Sequence, residues 1–320
     1  MKRIMVTGAV GQIGSELTLA LRERYGADNV VACGRKTAPS AELKDSGPFE
    51  FADCTDMEKM TEVVKKYKID TIHHLAAILS AVAEAKPQLA WNVNINGLYN
   101  VLELAREHKC AVFTPSSIGA FGPSTPLDDT PQDTVQRPNT MYGVTKVAGE
   151  LLCDYYFKRY GVDTRGVRYP GIISNVTLPG GGTTDYAVAI YYEAIKNKKF
   201  TCYLDRGTFL DMMYMPDAIN AAMDLMEADG SKLKHRNAFN VSAMSFDPEG
   251  IAAVIRKHIP EFSMDYDVDP VRQGIAETWP NNMDDSAARE EWGWKPEFDL
   301  EKMSEDMLKV LGEKHAKGEL

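Results

Sequence analysis

Short apolar runs alternate with amphipathic stretches from the first residues of the chain. Arg3-Ile-Met-Val-Thr7 is apolar and β-branched and reads as a strand, and Leu17, Ala20, Leu21 and Tyr25 then recur at helical spacing. Val30-Val-Ala-Cys33 predicts a second strand, and Phe49-Glu-Phe-Ala-Asp53-Cys54 a third. A helical pattern near Asp56 to Tyr67 leads into a strand from Thr71 through Ala77. Trp91 to His108 predicts one long amphipathic helix, Ala111-Val-Phe-Thr the next strand, and Tyr142 lies in the helix that follows. Strands alternating with helices in this way predict an α/β fold: a doubly wound parallel sheet of Rossmann type. Its expected extent is residues 1–170, with about 207–243 returning to it, and residues 171–320 are expected to build a second, smaller α/β substrate lobe.

Composition narrows the class. At 320 residues the chain can bury a full core, and its 44% hydrophobic and 26% charged content is ordinary for a globular protein. A formal net charge of −10 argues against nonspecific nucleic-acid binding and against an anionic membrane surface, though not against a local basic pocket. No apolar run approaches the length of a membrane span, and the first strand begins at once, so no leader peptide is expected. Cys33, Cys54, Cys110, Cys153 and Cys202 are scattered and odd in number, which favours reduced thiols and a cytoplasmic setting. The adjacent His73 and His74 fall on opposite faces of a strand and are read as packing residues, so no metal is expected.

Candidate chemistry gathers at the ends of the predicted strands. Gly8, Gly11 and Gly14, spaced G-x-x-G-x-x-G between the first strand and its helix, form a phosphate-cradling turn that also carries Gln12 and Ile13. Gly34-Arg35-Lys36 ends the second strand, where an acid ordinarily takes the ribose hydroxyls of NAD. The basic pair leaves NADP open, and exposed loop charges are the alternative. Asp53 and Cys54 end the third strand, with Asp53 placed to meet the adenine. Leu75, Ala76 and Ala77 are small enough to let a cofactor pass close by. Ser80 either touches substrate or caps the next helix, and Asn94 is chosen to fix active-site backbone by a hydrogen bond. Ser116 and Ser117 end the 111–114 strand.

Tyr142 and Lys146 lie four residues apart on one helical face, about 6 Å apart in rise. An ammonium there favours a phenolate, which suits general-base work.

Gly8/Gly11/Gly14, Asn94, Ser117 and the Tyr142/Lys146 pair together resemble the extended short-chain dehydrogenase/reductase superfamily. Four further segments narrow the resemblance: Arg168-Tyr-Pro-Gly-Ile-Ile-Ser174, Leu178-Pro-Gly-Gly-Gly-Thr-Thr-Asp-Tyr-Ala187, Met212-Met-Tyr-Met-Pro-Asp217 and Trp279-Pro through Trp292-Gly293. Together they are similar to the short-chain-type L-threonine 3-dehydrogenases over nearly the whole chain. The resemblance implies oxidation of the threonine side-chain hydroxyl to 2-amino-3-oxobutyrate, normally with NAD. Two positions depart from that family: Gly34 replaces the usual acid, and Asp211 stands where proline is common.

On this resemblance Tyr142 accepts the hydroxyl proton and Lys146 supports it and contacts the nicotinamide ribose. Ser117, or its neighbour Ser116, hydrogen-bonds the reacting oxygen. Tyr169, Pro170 and Ile172 join the cofactor contacts. Ser80, Gly182, Thr183 and Thr184 are expected around the substrate carboxylate. Asp185 either faces the ammonium or caps the helix near Tyr186. Trp279 either walls the pocket or packs the core, and Gly180 to Gly182 form a loop able to close over substrate. The helices near 91–108 and 142–160 suggest a homodimer, with covering of the sheet as the alternative. Two other functions fit the Rossmann half: a nucleotide-sugar 4-epimerase or dehydratase, and a non-catalytic dinucleotide sensor.

Overall fold

The structure, a computed structural model, describes residues 1–176 and 182–320. Residues 177–181, which hold most of the expected glycine loop, lie outside the described residues.

Strands β1 (Ile4–Thr7), β2 (Val30–Gly34), β3 (Phe49–Phe51), β4 (Thr71–His74) and β5 (Ala111–Phe113) are joined by helical crossovers and pair in parallel. Every residue of β1, β2 and β4 is buried, as expected of parallel strands covered by helices on both faces. β6 (Ser116–Ser117), β7 (Thr164–Arg165), β8 (Val167–Tyr169) and β9 (Gly171–Ile173) follow, and the main sheet has the order β3-β2-β1-β4-β5-β7. Chain direction across the sheet reverses between β1 and β4. The crevice above their carboxyl ends is the place where such sheets bind ligands.

Pro115 has no N–H to give to a ladder, and the β5 pairing lapses before it. Pairing resumes beyond it as β6 on β8, with Ser116 opposite Arg168 and Ser117 opposite Tyr169. The remaining strands are β10 (Lys199–Cys202), β11 (Leu210–Tyr214), β12 (Phe239–Asn240), β13 (Met244–Phe246) and β14 (Ser263–Tyr266). They form small sheets β12-β8-β6, β13-β11-β9 and β10-β14. The helix Met215–Glu227 packs on the Gln12–Tyr25 helix, whereas β11 just before it pairs with β9 and β13.

Two apolar clusters flank the main sheet: Leu17, Leu21, Met213 and Ala218 belong to one, Met60, Val63, Leu98 and Val101 to the other. A third, around Tyr186, Tyr191, Ile251 and Met307, fills the remainder of the chain.

Three boundaries differ from the sequence reading. β3 stops at Phe51, because the Asp53 carboxylate turns the chain by accepting from the Thr55 amide at 3.0 Å and its hydroxyl at 2.8 Å. β4 stops at His74, so Leu75 to Ala77 form a loop rather than strand. The expected helix from Trp91 is three consecutive pieces: Pro87–Trp91, a π-helical turn Asn92–Asn96, and Gly97–His108. Hydrophobic spacing does not register a single wider turn, and such turns occur often at functional sites.

Candidate active site

The glycine turn is built for an anion. Gly8 has φ +71°, and a Cβ added there would lie 2.7 Å from the Ala76 amide; one at Gly14 would lie 2.2 Å from the Gly8 carbonyl oxygen. Only bare backbone fits this approach. Gly11 precedes the 14-residue helix Gln12–Tyr25, whose start has no side-chain cap and no acid in its first turn. Its free amides and dipole face the crevice end of β1, an arrangement that fits the pyrophosphate of a dinucleotide. A nicotinamide dinucleotide is therefore compatible with the residues present.

A cavity of about 260 Å³ runs from this turn along the carboxyl ends of the strands. Gly8, Gly11, Gln12, Ile13 and Gly14 line its floor, with Leu75 and Ala77 beside them. Ser116, Ser117, Tyr142 and Lys146 line the middle, and Tyr169, Pro170 and Ile172 border it as well. Ser80, Gly182, Thr183, Thr184, Asp185 and Trp279 also line it. Residues from seven separated stretches of sequence thus meet in one space. Leu79, Pro115, Ile118 and Gly171 line it too and were not singled out from sequence. Only Gly171, next to Pro170 at a strand end, offered a signal.

Tyr142 is placed by its helix, Met141–Tyr160. Thr140 caps that helix by accepting from the Gly143 amide at 3.1 Å. Positions 142, 146 and 150 fall on the same face. The Lys146 ammonium donates to the Pro115 carbonyl at 2.7 Å and stands 5.4 Å from the centre of the Tyr142 ring. A Cβ at Gly119 would lie 3.1 Å from Tyr142 ring carbons and 3.5 Å from Ser117 Oγ, so ring and hydroxyl border the same small space.

The two serines have different surroundings. Ser116 is buried and its hydroxyl donates to Glu150 Oε1. Glu150 is in turn held by Arg168 through Nε at 3.1 Å and Nη2 at 2.9 Å, and by Gln136 at 2.8 Å. Ser117 Oγ accepts from the Gly119 amide at 3.1 Å, which leaves its own proton to donate.

Asn94 lies in the π-turn. Its Oδ1 accepts from the Ile78 amide at 2.7 Å, and its Nδ2 donates to the Ile78 carbonyl at 3.1 Å and to Thr145 Oγ1 at 3.0 Å. It ties the loop after β4 to the Tyr142 helix. Ala76 and Asn94 border a smaller chamber of about 40 Å³ behind Lys146 rather than the main cavity.

Ser80 begins the helix Ser80–Ala85 but makes no cap bond; it is buried against the cavity. Asp185 Oδ2 accepts from the Gly182 amide at 2.6 Å, which closes the Thr183–Asp185 turn, and it makes no cap bond to the Tyr186–Asn197 helix. The Tyr169 hydroxyl donates to the Ala218 carbonyl at 2.5 Å, away from any substrate role, and burial raises its pKa. Trp279 is buried at the cavity edge within the third apolar cluster.

Gly34, Arg35, Lys36, Asp53 and Cys54 lie outside the main cavity. Cys54 is buried, which pushes its thiol up to about 12, and Gly97 packs against its sulfur. His73 and His74 are both buried and held neutral by burial, with pKa lowered to about 3. His74 Nδ1 pairs with Thr7 Oγ1 at 2.8 Å. Among the described residues no cluster of His, Cys, Asp or Glu could hold a metal.

The comparisons with known proteins agree with the fold. Residues 4–242 match the NAD dependent epimerase/dehydratase family. An uncharacterized epimerase/dehydratase of Staphylococcus haemolyticus is 57% identical over 98% of this chain and 99% of its own length. The crystal structure of an L-threonine dehydrogenase from Clostridium difficile superimposes with a TM-score of 0.97 at 61% identity, covering 98% of both chains. A monomeric L-threonine 3-dehydrogenase of metagenomic origin gives 0.92 at 47% identity, covering 97% of this chain and 99% of that one. The resemblance to L-threonine 3-dehydrogenases read from sequence therefore extends to structure.

Proposed function

This chain belongs to the NAD dependent epimerase/dehydratase family, and from that premise we propose that it is an L-threonine 3-dehydrogenase giving 2-amino-3-oxobutyrate. A bound nicotinamide dinucleotide supplies the hydride acceptor. The observation that carries the reading is the meeting of Tyr142, Lys146 and Ser117 with Ser80 and Thr184 in one cavity beside the glycine turn. The two solved structures quoted above, named as threonine dehydrogenases, support the same substrate.

Each residue has a role set by its surroundings. Tyr142, as phenolate, accepts the proton of the threonine hydroxyl. The Lys146 ammonium stands 5.4 Å from the centre of the Tyr142 ring and supplies a positive charge beside it. Ser117 donates to the reacting oxygen as it becomes a carbonyl, an interaction that strengthens towards the transition state. Ser116, committed to Glu150, supports the strand end instead. Threonine is a small zwitterion, and burying it requires partners for both charges. The hydroxyls of Ser80, Thr183 and Thr184 suit its carboxylate, and Asp185 its ammonium.

Three further readings belong to this proposal. Residues 1–170, with about 207–243, form the dinucleotide-binding unit, and 171–320 the substrate lobe. Tyr99, Val144, Leu151 and Tyr155 are exposed on the helices Gly97–His108 and Met141–Tyr160, and a second copy of the chain covers them in a homodimer. Sedimentation decides that against the monomeric state described for one relative. The five unpaired cysteines suit a cytoplasmic setting, and among the described residues no helix is long and apolar enough to cross a membrane.

The test is dinucleotide reduction with L-threonine, L-allo-threonine, L-serine and UDP-sugars in parallel. L-threonine is expected to give the highest kcat/KM. Turnover of UDP-sugars with none of threonine would replace the reading by a nucleotide-sugar enzyme, and binding without any turnover by a sensor.

A further inference from the structure

We infer that the Arg35-Lys36 pair at the end of β2 is a 2′-phosphate site, which makes this protein an NADP-preferring member of its family. The inference rests on the dinucleotide reading above and specifies the cofactor that reading leaves open.

The position follows from register. Thr7 of β1 pairs with Cys33 of β2, and the Ala9 amide donates to the Cys33 carbonyl at 3.1 Å. Gly34 therefore ends β2 level with Gly8 at the glycine turn, on the lip where the adenosine ribose of a dinucleotide lies in this fold. An acid at this strand end grips both ribose hydroxyls and repels a phosphate. Gly34 has no side chain, and none is easily accommodated: a Cβ would lie 3.0 Å from the Phe49 ring and 3.3 Å from Val10 Cγ1. The determinant for NAD is absent, and packing keeps it absent.

The neighbouring charges favour an anion. Arg35 and Lys36 are exposed, in a chain whose net charge is −10. The nearest acid to Arg35 is Asp53, whose Oδ2 stands 4.0 Å from Arg35 Nε while Oδ1 is held by Thr55. That distance orients the guanidinium without a close pair. Lys36 has no ion pair or hydrogen bond among the described residues. Glu50, one strand over, is turned to Lys66 at 2.6 Å and Tyr67 at 2.9 Å. A phosphate monoester carries about −1.5 to −2 charge at neutral pH, and guanidinium groups bind it through paired N–H donors. The two cations supply what the missing carboxylate would have opposed.

Equilibrium titration of the full chain, without threonine, tests this directly. The probes are NADP+, NAD+, 2′,5′-ADP and 5′-ADP, and the Arg35→Ala/Lys36→Ala double variant is compared with the parent. Both side chains are exposed, so the variant is expected to fold, and its melting temperature checks that. NADP+ should bind at least about tenfold tighter than NAD+, and 2′,5′-ADP tighter than 5′-ADP by a similar factor. The variant should lose the 2′-phosphate advantage and keep its NAD+ affinity. Tighter binding of NAD+, or a variant that weakens both dinucleotides equally, overturns the 2′-phosphate site alone. Failure of every probe to bind overturns the dinucleotide reading itself.

Discussion

Glu150 and Arg168 form a two-pronged ion pair in the interior, both side chains under a tenth exposed, with contacts of 2.9 and 3.1 Å. Glu150 lies two turns beyond Tyr142 on the same helix, and Arg168 lies on β8 opposite Ser116. The pair fixes the helix to the strand end that carries both serines. Arg168 extends the network through Nη1 to the Gln132 carbonyl at 2.8 Å and to Asn240 Oδ1 at 3.0 Å.

Removing one partner of such a pair leaves a charge buried alone. Arg168→Met should cost about 3–5 kcal/mol in urea denaturation. Adding Glu150→Leu should recover part of that loss, because the stranded carboxylate is then gone. A single variant as stable as the parent would show that the pair does not fix the helix.

The serines separate by readout. Ser117→Ala should lower kcat by about 10²–10³-fold, as loss of a transition-state donor does, with little change in melting temperature. Ser116→Ala removes a donor from Glu150 and should act mainly on stability, by about 1 kcal/mol. Interchanged effects would reassign the reacting-oxygen contact.

Asp211 predicts a pH dependence. It is fully buried in β11, with its carboxyl oxygens 2.9 Å from Ser242 Oγ and 2.9 Å from the Met283 amide. Burial, with Asp285 nearby, pushes it up to about 8. Asp285 is itself paired with Arg289 at 2.6 Å. The folded chain keeps the Asp211 proton over a range where the unfolded chain, near pKa 3.9, has lost it. Stability from this group therefore falls by about 1.4 kcal/mol per pH unit from about pH 4 to about pH 8, then levels off. Asp211→Asn fits the same two partners without ionising and should flatten the decline in melting temperature. Parallel curves for parent and variant would contradict the assignment.

His73 predicts a gain. It is fully buried, its ring 5.3 Å from that of Phe113, and neither ring nitrogen has a hydrogen-bond partner among the described residues. His73→Leu strands no partner and relieves an unsatisfied polar group, so stability should rise by about 1–3 kcal/mol. A loss of stability would show that the ring's packing outweighs its unmet hydrogen bonds.

Much of the fold was legible because it rests on local signals. β1, the glycine turn and its helix follow from apolar spacing and from backbone approaches only glycine allows. Tyr142 and Lys146 could be read as one face because helical geometry fixes that spacing. The choice between Ser116 and Ser117 was not legible: it depends on Glu150, 34 residues away, and on the break at Pro115. Nor was the π-turn that aims Asn94 at Ile78, since one wider turn leaves the hydrophobic pattern intact. Asp211 drew attention only as a departure from the family; its burial against Met283 is a long-range contact.

The central claim is that the Tyr142 hydroxyl performs the proton transfer, and Tyr142→Phe tests it most directly. Single-turnover oxidation of L-threonine by that variant, with dinucleotide affinity measured in the same preparation, should be slower by about 10²–10⁴-fold while the affinity is retained. Turnover near that of the parent at saturating dinucleotide would contradict the account.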